Sequence, residues 1–302
     1  MKVRSKIISW IRQISLGIIH GFLGLYLRNL NSDEKKIYFK EIIKTYEKFD
    51  DDYLSVRRLP KYCDDIRNRV YFTNISSDDY VIVIRGMIIL ENNYTLETIK
   101  IYKKIFTDVD ILVVTWDRPE YFNFFNEIKK LDVKLIKLNE ISNIGALNLN
   151  AQLLQIKEAL SYISNKSYKY VLCTRSDHRI YYAYTLEYLT TLLKIFPPLD
   201  VKYGLRERVI TVGCFQDRVQ ELPPYFMRDL VYFGNVDDLR NFFDIPFTKK
   251  TKDDYIKTLK RSGQSRLTLQ QESEENFPPE AYYLREFFKK VLMGGVEIYG
   301  AL

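Results

Sequence analysis

Histidine is nearly missing from this chain of 302 residues, where only His20 and His178 occur, and that excludes a histidine-rich zinc site. Cysteine is almost as scarce. Cys63, Cys173 and Cys214 show neither paired nor metal-ligand spacing, so no disulfide framework is expected and a reducing compartment is the simplest reading. Glycine is too sparse for a glycine-rich phosphate loop, and Gly86 alone is no dinucleotide fingerprint. No internal repeat is visible. Basic charge looks abundant, at a net +7, but residues 1–30 hold five Lys or Arg and no acid, leaving 41 bases against 39 acids elsewhere. A chain-wide basic surface is therefore lacking, and with it the footprint of a nucleic-acid-binding protein.

What the amino terminus does have is a basic segment mixed with Trp10, Phe22 and many Ile and Leu. The run from Ile14 to Leu27 is too short to span a bilayer and contains His20. No small-residue cleavage site follows it. The pattern suits a helix lying in an anionic membrane interface, with docking on the rest of the protein as the alternative. Next, Asn31 and Ser32 can cap a helix running through Ile42 to Phe49, with Asp33 and Glu34 in its first turn. Asp50, Asp51 and Asp52 read as a solvated turn ending it.

From Tyr80 onward, apolar runs alternate with helical spacing. Tyr80–Ile84, Val109–Thr115, Val133–Leu138 and Tyr170–Cys173 read as strands. Between them, Thr95, Ile99, Tyr102 and Ile105, then Phe122, Phe125, Ile128 and Leu131, then Leu147, Leu154 and Leu160 recur at near-helical intervals. Such alternation implies βαβ units and a mostly parallel sheet with helices on both faces. The fourth strand ends abruptly in Arg175, Ser176, Asp177, His178 and Arg179. A carboxylate flanked by cations at the carboxyl end of a strand sits where open α/β sheets place ligands. Oxygen ligands suit a hard divalent cation, and arginines suit phosphate oxygens. Asp177 is expected to open into the largest cleft, near Asp117 and Gly86. Toward the other end, Thr248 to Asn276 is poor in apolar residues and reads as a mobile loop or exposed helix pair.

Seven short motifs, in order over roughly residues 80–290, resemble the WavE lipopolysaccharide-synthesis family of bacterial glycosyltransferase-like proteins. They are Val83-Ile84-Arg85-Gly86, the Thr95 to Tyr102 helix, Val114-Thr115-Trp116-Asp117, Asn148-Leu149-Asn150-Ala151-Gln152, Arg175-Ser176-Asp177-His178-Arg179, Asp229 to Gly234, and Pro279-Glu280-Ala281-Tyr282. The chain departs where that family usually has Gln-Gly-Pro in place of Arg85-Gly86-Met87, and Arg in place of Ala151. The resemblance implies a GT-A-like, Rossmann-type fold. Together with the basic segment over 1–30, the helical extension over 31–77 and the mobile stretch read from the residues themselves, it implies a nucleotide-sugar-binding core over 78–245 and a last part over 246–302 that completes the acceptor side.

The implied activity is glycosyl transfer from a nucleotide-sugar donor to a lipid-linked or oligosaccharide acceptor. Its setting would be lipopolysaccharide or capsule biosynthesis, at the cytoplasmic side of the bacterial inner membrane. Arg85, Gly86, Asp117, Asn150, Gln152, Arg175, Ser176 and Arg179 are expected around the donor, and Asp177 with His178 around a Mn or Mg ion. Asn150 and Gln152, two apart on a helix, do not share a face. One serves the site and the other caps or packs. Glu280 and Asp229 compete for the base that takes the acceptor proton, with Glu280 favoured. Asp229 precedes a strand from Leu230 to Phe233 whose end is expected to face the crevice. A sugar-phosphate transferase and a non-catalytic nucleotide-sugar-binding scaffold are the alternatives.

Overall fold

The computed structural model describes residues 31, 34, 37, 77–198, 205–211, 227–263, 271, 275 and 277–293. The chain forms two compact units, Met1–Leu59 and Pro60–Leu302. In the first unit, the Asn31 N–H donates to Glu34 and the Glu34 N–H to Asn31, at 2.7 and 2.9 Å. This reciprocal pair is the helix-start device expected there. The basic interfacial segment, the Ile42–Phe49 helix and the three-aspartate turn lie outside the described residues.

In the second unit, the expected strands form as β1 (Tyr80–Arg85), β2 (Asp110–Trp116), β3 (Lys134–Leu138) and β4 (Tyr170–Arg175). Two further strands, β5 (Ile210–Thr211) and β6 (Val231–Asn235), complete a six-stranded sheet in the order β3-β2-β1-β4-β6-β5. The first four are parallel, and β6 runs antiparallel to both β4 and β5. Because β6 is antiparallel, its start rather than its end lies beside the carboxyl end of β4. The expected orientation of the Leu230–Phe233 strand is corrected accordingly, and Asp229 stays at that edge.

The helices are α1 (Tyr94–Ile105), α2 (Phe122–Lys129), α3 (Leu149–Ser164), α4 (Thr185–Ile195), α5 (Val236–Phe243), α6 (Lys252–Ser262) and α7 (Pro279–Met293). Alternation along the strands divides the core. Tyr80, Ile82, Ile84, Ile111, Val113 and Leu172 pack under α1, α2 and α4. Val81, Val83, Leu112, Val114, Val171 and Cys173 pack under α3, α5 and α7. Both faces of the sheet are dry, which is why its strands read as continuous apolar runs. The fold is thus α/β, mostly parallel, with helices on both faces. In the polar stretch after Thr248, α6 forms with a Thr251–Asp254 capping box and packs Tyr255 and Leu259 against Ala146 and Phe277, so part of it is an ordered, half-buried helix. Phe122 opens α2 but points to solvent, while Phe124, Phe125 and Ile128 are buried.

Candidate active site

On the face beneath α3, each central strand ends by breaking its aliphatic series. Val81 and Val83 lead to Arg85, Leu112 and Val114 to Trp116, and Val171 and Cys173 to Arg175. The parallel register sets Arg85 directly beside Arg175. The order β3-β2-β1-β4 also makes β1 and β4 the strands whose connections leave in opposite directions. Such a switch point opens a crevice outside the carboxyl ends of the strands. A cleft of about 300 Å³ lies there, lined among others by Arg85, Gly86, Trp116, Arg118, Glu140, Gln152, Gln155, Arg175, Ser176 and Asp177. Two other hollows are larger. One of about 700 Å³ lies between α3 and α5 and another of about 480 Å³ beside α7. The expectation that Asp177 opens into the largest cleft is therefore corrected. The chemistry-bearing strand ends serve a smaller one.

The close meeting of β1 and β4 needs a residue without a side chain. Gly86 has φ +127°, and a Cβ there would stand 2.6 Å from Ser176 Oγ. Ser176 itself donates to the Met87 carbonyl at 2.5 Å, and its N–H to the Arg85 carbonyl at 2.8 Å. Both expected residues thus shape the cleft through the backbone.

A polar chain crosses the floor. The Arg85 side chain is 1% exposed. It donates through Nη1 to Gln152 Oε1 at 3.1 Å and through Nη2 to the Asp229 carbonyl at 2.5 Å. Its Nε has no partner, and its guanidinium lies 5.7 Å from the Tyr232 ring centre. Arg175 donates through Nη1 to Asp229 Oδ2 at 2.8 Å, and grips Asp177 with Nε to Oδ1 at 2.9 Å and Nη2 to Oδ2 at 2.7 Å. These Asp177 contacts raise the Arg175 pKa further, so it stays charged. Burial pushes the Asp177 carboxyl up, but the Arg175 bonds and the charges of Arg175 and His178 outweigh that and hold it below its usual value. On the opposite wall, Arg118 is held by Glu140, with Nη2 to Oε1 at 2.6 Å.

The two candidate bases differ. The Asp229 carboxylate is buried and committed to Arg175. Glu280, in the first turn of α7, has its pKa raised by burial and then by the charge of Asp229. It is not among the residues lining the cleft, but it is near enough to Asp229 to feel its charge.

Several expected donor contacts are turned elsewhere. Asp117 leaves the strand next to Trp116 and pairs with Lys137 at 2.9 Å. Arg179 stacks over the Tyr94 ring at 4.0 Å and donates to Thr98 Oγ1 at 2.6 Å. Asn150 is a buried clasp. It accepts from the Thr248 N–H at 2.8 Å and donates to the carbonyls of Thr248 and Asn143 at 2.9 and 3.2 Å. Its backbone also leaves no room at Gly145 (φ +78°), where a Cβ would lie 2.8 Å from the Asn150 nitrogen. Of the two candidates Gln152 is the one that reaches the cleft, together with Asn148 and Ala151 of the same motif. Trp116, Arg118, Glu140 and Gln155 line the cleft without having been singled out as site residues. Gln155 could have been found from its spacing, three residues after Gln152 and so on the same helical face.

A divalent cation would need several oxygen ligands. Both Asp177 oxygens already accept from Arg175, and His178 Nε2 stands 3.6 Å from Asp177 Oδ1. Among the described residues, no three His, Cys, Asp or Glu side chains converge. Among the described residues, with both Asp177 oxygens engaged by Arg175, this donor set does not fit a resident Mn or Mg.

No family model matches the chain, and no curated protein matches it, so the WavE resemblance rests on the motifs alone. Solved structures are similar at low identity. A candidate nucleotide-diphospho-sugar transferase from Desulfovibrio desulfuricans is 9% identical, with 73% of this chain and 100% of that chain covered and a TM-score of 0.36. A CMP:2-keto-3-deoxy-manno-octonic acid synthetase complexed with CTP is 13% identical, with 61% and 85% covered and a TM-score of 0.33. A cytidylyltransferase from Leptospira borgpetersenii is 11% identical, with 73% and 98% covered and a TM-score of 0.34. Likenesses this distant concern the fold alone and leave the reaction to the residues themselves.

Proposed function

We propose that the cleft binds a nucleotide sugar and that the protein transfers the sugar to a glycan acceptor. The observation that carries this reading is the placement of Arg85, Arg118 and Arg175 around a switch-point cleft that also holds Trp116 and two glutamines. Arginine forks match phosphate oxygens two at a time. Arg175 is fixed in advance by Asp177 and Asp229, so it needs little reorganisation when charge develops on a departing diphosphate. With Arg118 on the facing wall, the phosphate charge is borne by guanidinium groups.

In the transfer, an acceptor hydroxyl oxygen forms a bond to the anomeric carbon. The bond from that carbon to the diphosphate oxygen breaks, and its electron pair leaves with the diphosphate. Glu280 lies outside the cleft lining, so it takes the hydroxyl proton through one intervening water, and its raised pKa favours proton acceptance. Asp229, already bound to Arg175, sets that pKa by its charge. The WavE resemblance supports a lipopolysaccharide or capsule acceptor at the inner face of the bacterial inner membrane, with the basic residues 1–30 as the membrane contact. Among the described residues, no helix is long and apolar enough to cross a membrane.

The product of donor turnover tests the reading. Incubation with nucleotide sugars should release nucleoside diphosphate. Release of nucleoside monophosphate would mean sugar-phosphate transfer instead, and no turnover with any donor would favour a binding scaffold.

A further inference from the structure

Besides Arg85 Nε, one further buried donor in the cleft lining is unpaired. Gln155 is 2% exposed, lines the cleft, and its Nε2 finds no acceptor. Buried amide donors are almost always paired, and an unpaired one lowers stability until something accepts from it. Gln155 projects from the second turn of α3, one turn beyond Gln152. Its surroundings in the cleft include flat or apolar walls: Trp116, which is 6% exposed, with Ile141, Ile144 and Ala151. Arg175 lies to one side, on β4, and Trp116 on β2, with β1 between them, while Arg118 follows Trp116 at the cleft rim. Two strand spacings, roughly 10 Å, thus separate the two ends.

We propose that this end of the cleft is a nucleobase pocket. The base lies against Trp116, and the Gln155 amide donates to a ring carbonyl or ring nitrogen on its edge. The flat Trp116 with Ile141 and Ile144 suits a planar heterocycle, with the Gln155 amide at its edge and Arg118, Glu140 and Asn148 as the polar rim. The separation from Arg175 leaves room for a ribose between base and diphosphate. This inference rests on the nucleotide-sugar reading and adds the residue that selects the nucleotide.

The test titrates the full chain with UDP, GDP, CDP, ADP and inorganic pyrophosphate, following tryptophan fluorescence, in wild type and in Gln155→Leu. Wild type should bind at least one nucleotide about 10-fold or more tighter than pyrophosphate. In Gln155→Leu that nucleotide should lose about 10-fold in affinity while pyrophosphate is unchanged. The same substitution removes an unpaired buried amide, so the unfolding midpoint of the free protein should rise by roughly 2–4 °C. Gln155→Met, which keeps the side-chain length, should behave alike and stands in if the leucine variant does not fold. Unchanged nucleotide binding in these variants would overturn the pocket. Pyrophosphate binding as tightly as every nucleotide would also overturn it, while leaving the phosphate site intact. If wild type binds neither nucleotides nor pyrophosphate, the nucleotide-sugar reading falls, and the pocket with it.

Discussion

Arg175→Lys should fold normally and bind nucleotide sugars about 10–100-fold more weakly, because a single ammonium cannot hold Asp177 and Asp229 as the guanidinium does and still offer further N–H groups to phosphate. The comparison with alanine shows why lysine is the cleaner change. Arg175→Ala would leave the Asp229 carboxylate, whose side chain is 5% exposed, without its cation. Breaking a fully buried pair costs roughly 3–5 kcal/mol. With 31% of the Arg175 side chain exposed, solvent screening reduces that figure. An affinity loss in the alanine variant would therefore mix folding with binding. Asp177→Asn should weaken binding in the same direction and by less, since it loosens Arg175 without removing it. Titration calorimetry with a bound donor reads both. Wild-type affinity in Arg175→Lys would reduce Arg175 to a structural tie between β4 and Asp229.

Glu280→Gln should reduce transfer by about 100-fold or more while donor binding survives, because the amide keeps the shape and cannot take the proton. The pH dependence carries the sharper signature. A base must be deprotonated, so wild-type turnover should rise with pH along an acid limb lying above the ordinary glutamate value of about 4.3. Burial and the charge of Asp229 both push it that way. Asp229→Asn removes that charge and should shift the limb toward lower pH with a milder loss of rate. Stability responds in a linked manner. Because the folded-state pKa is raised, the native state keeps a proton in the window where the unfolded chain has lost it. Stability from this group is therefore greatest at pH below the unfolded value and is lost as pH rises through the folded one. Glu280→Gln should then be at least as stable as wild type at neutral pH. An unchanged pH profile in Glu280→Gln would remove Glu280 from the reaction.

The sheet was legible because burial on both faces forces long apolar runs, and four of those runs became β1 to β4 almost to the residue. The direction of β6 was not, since Val231–Asn235 carries no mark of parallel or antiparallel pairing. Its orientation depends on the distant partner β4. In the cleft, the charged exit from β4 stood out in the sequence, and Arg175 and Asp177 do meet there. Trp116 and Asp117 show where such reading stops. One residue of strand alternation sends the tryptophan into the cleft, while Asp117 goes to Lys137. A search for carboxylates selects the second of the two. Asn150 misled for a related reason. Its amide looks like a ligand group, but its partner is the backbone of Thr248, 98 residues away.

The most direct measurement is calorimetric titration of the full chain with a panel of nucleotide sugars, set beside the same titration of Arg175→Lys. The account predicts saturable binding of at least one nucleotide sugar to wild type and a markedly weaker isotherm for the variant. Heat of binding from no donor in the panel, or an isotherm that Arg175→Lys leaves unaltered, would contradict a donor site built on the ends of β1 and β4.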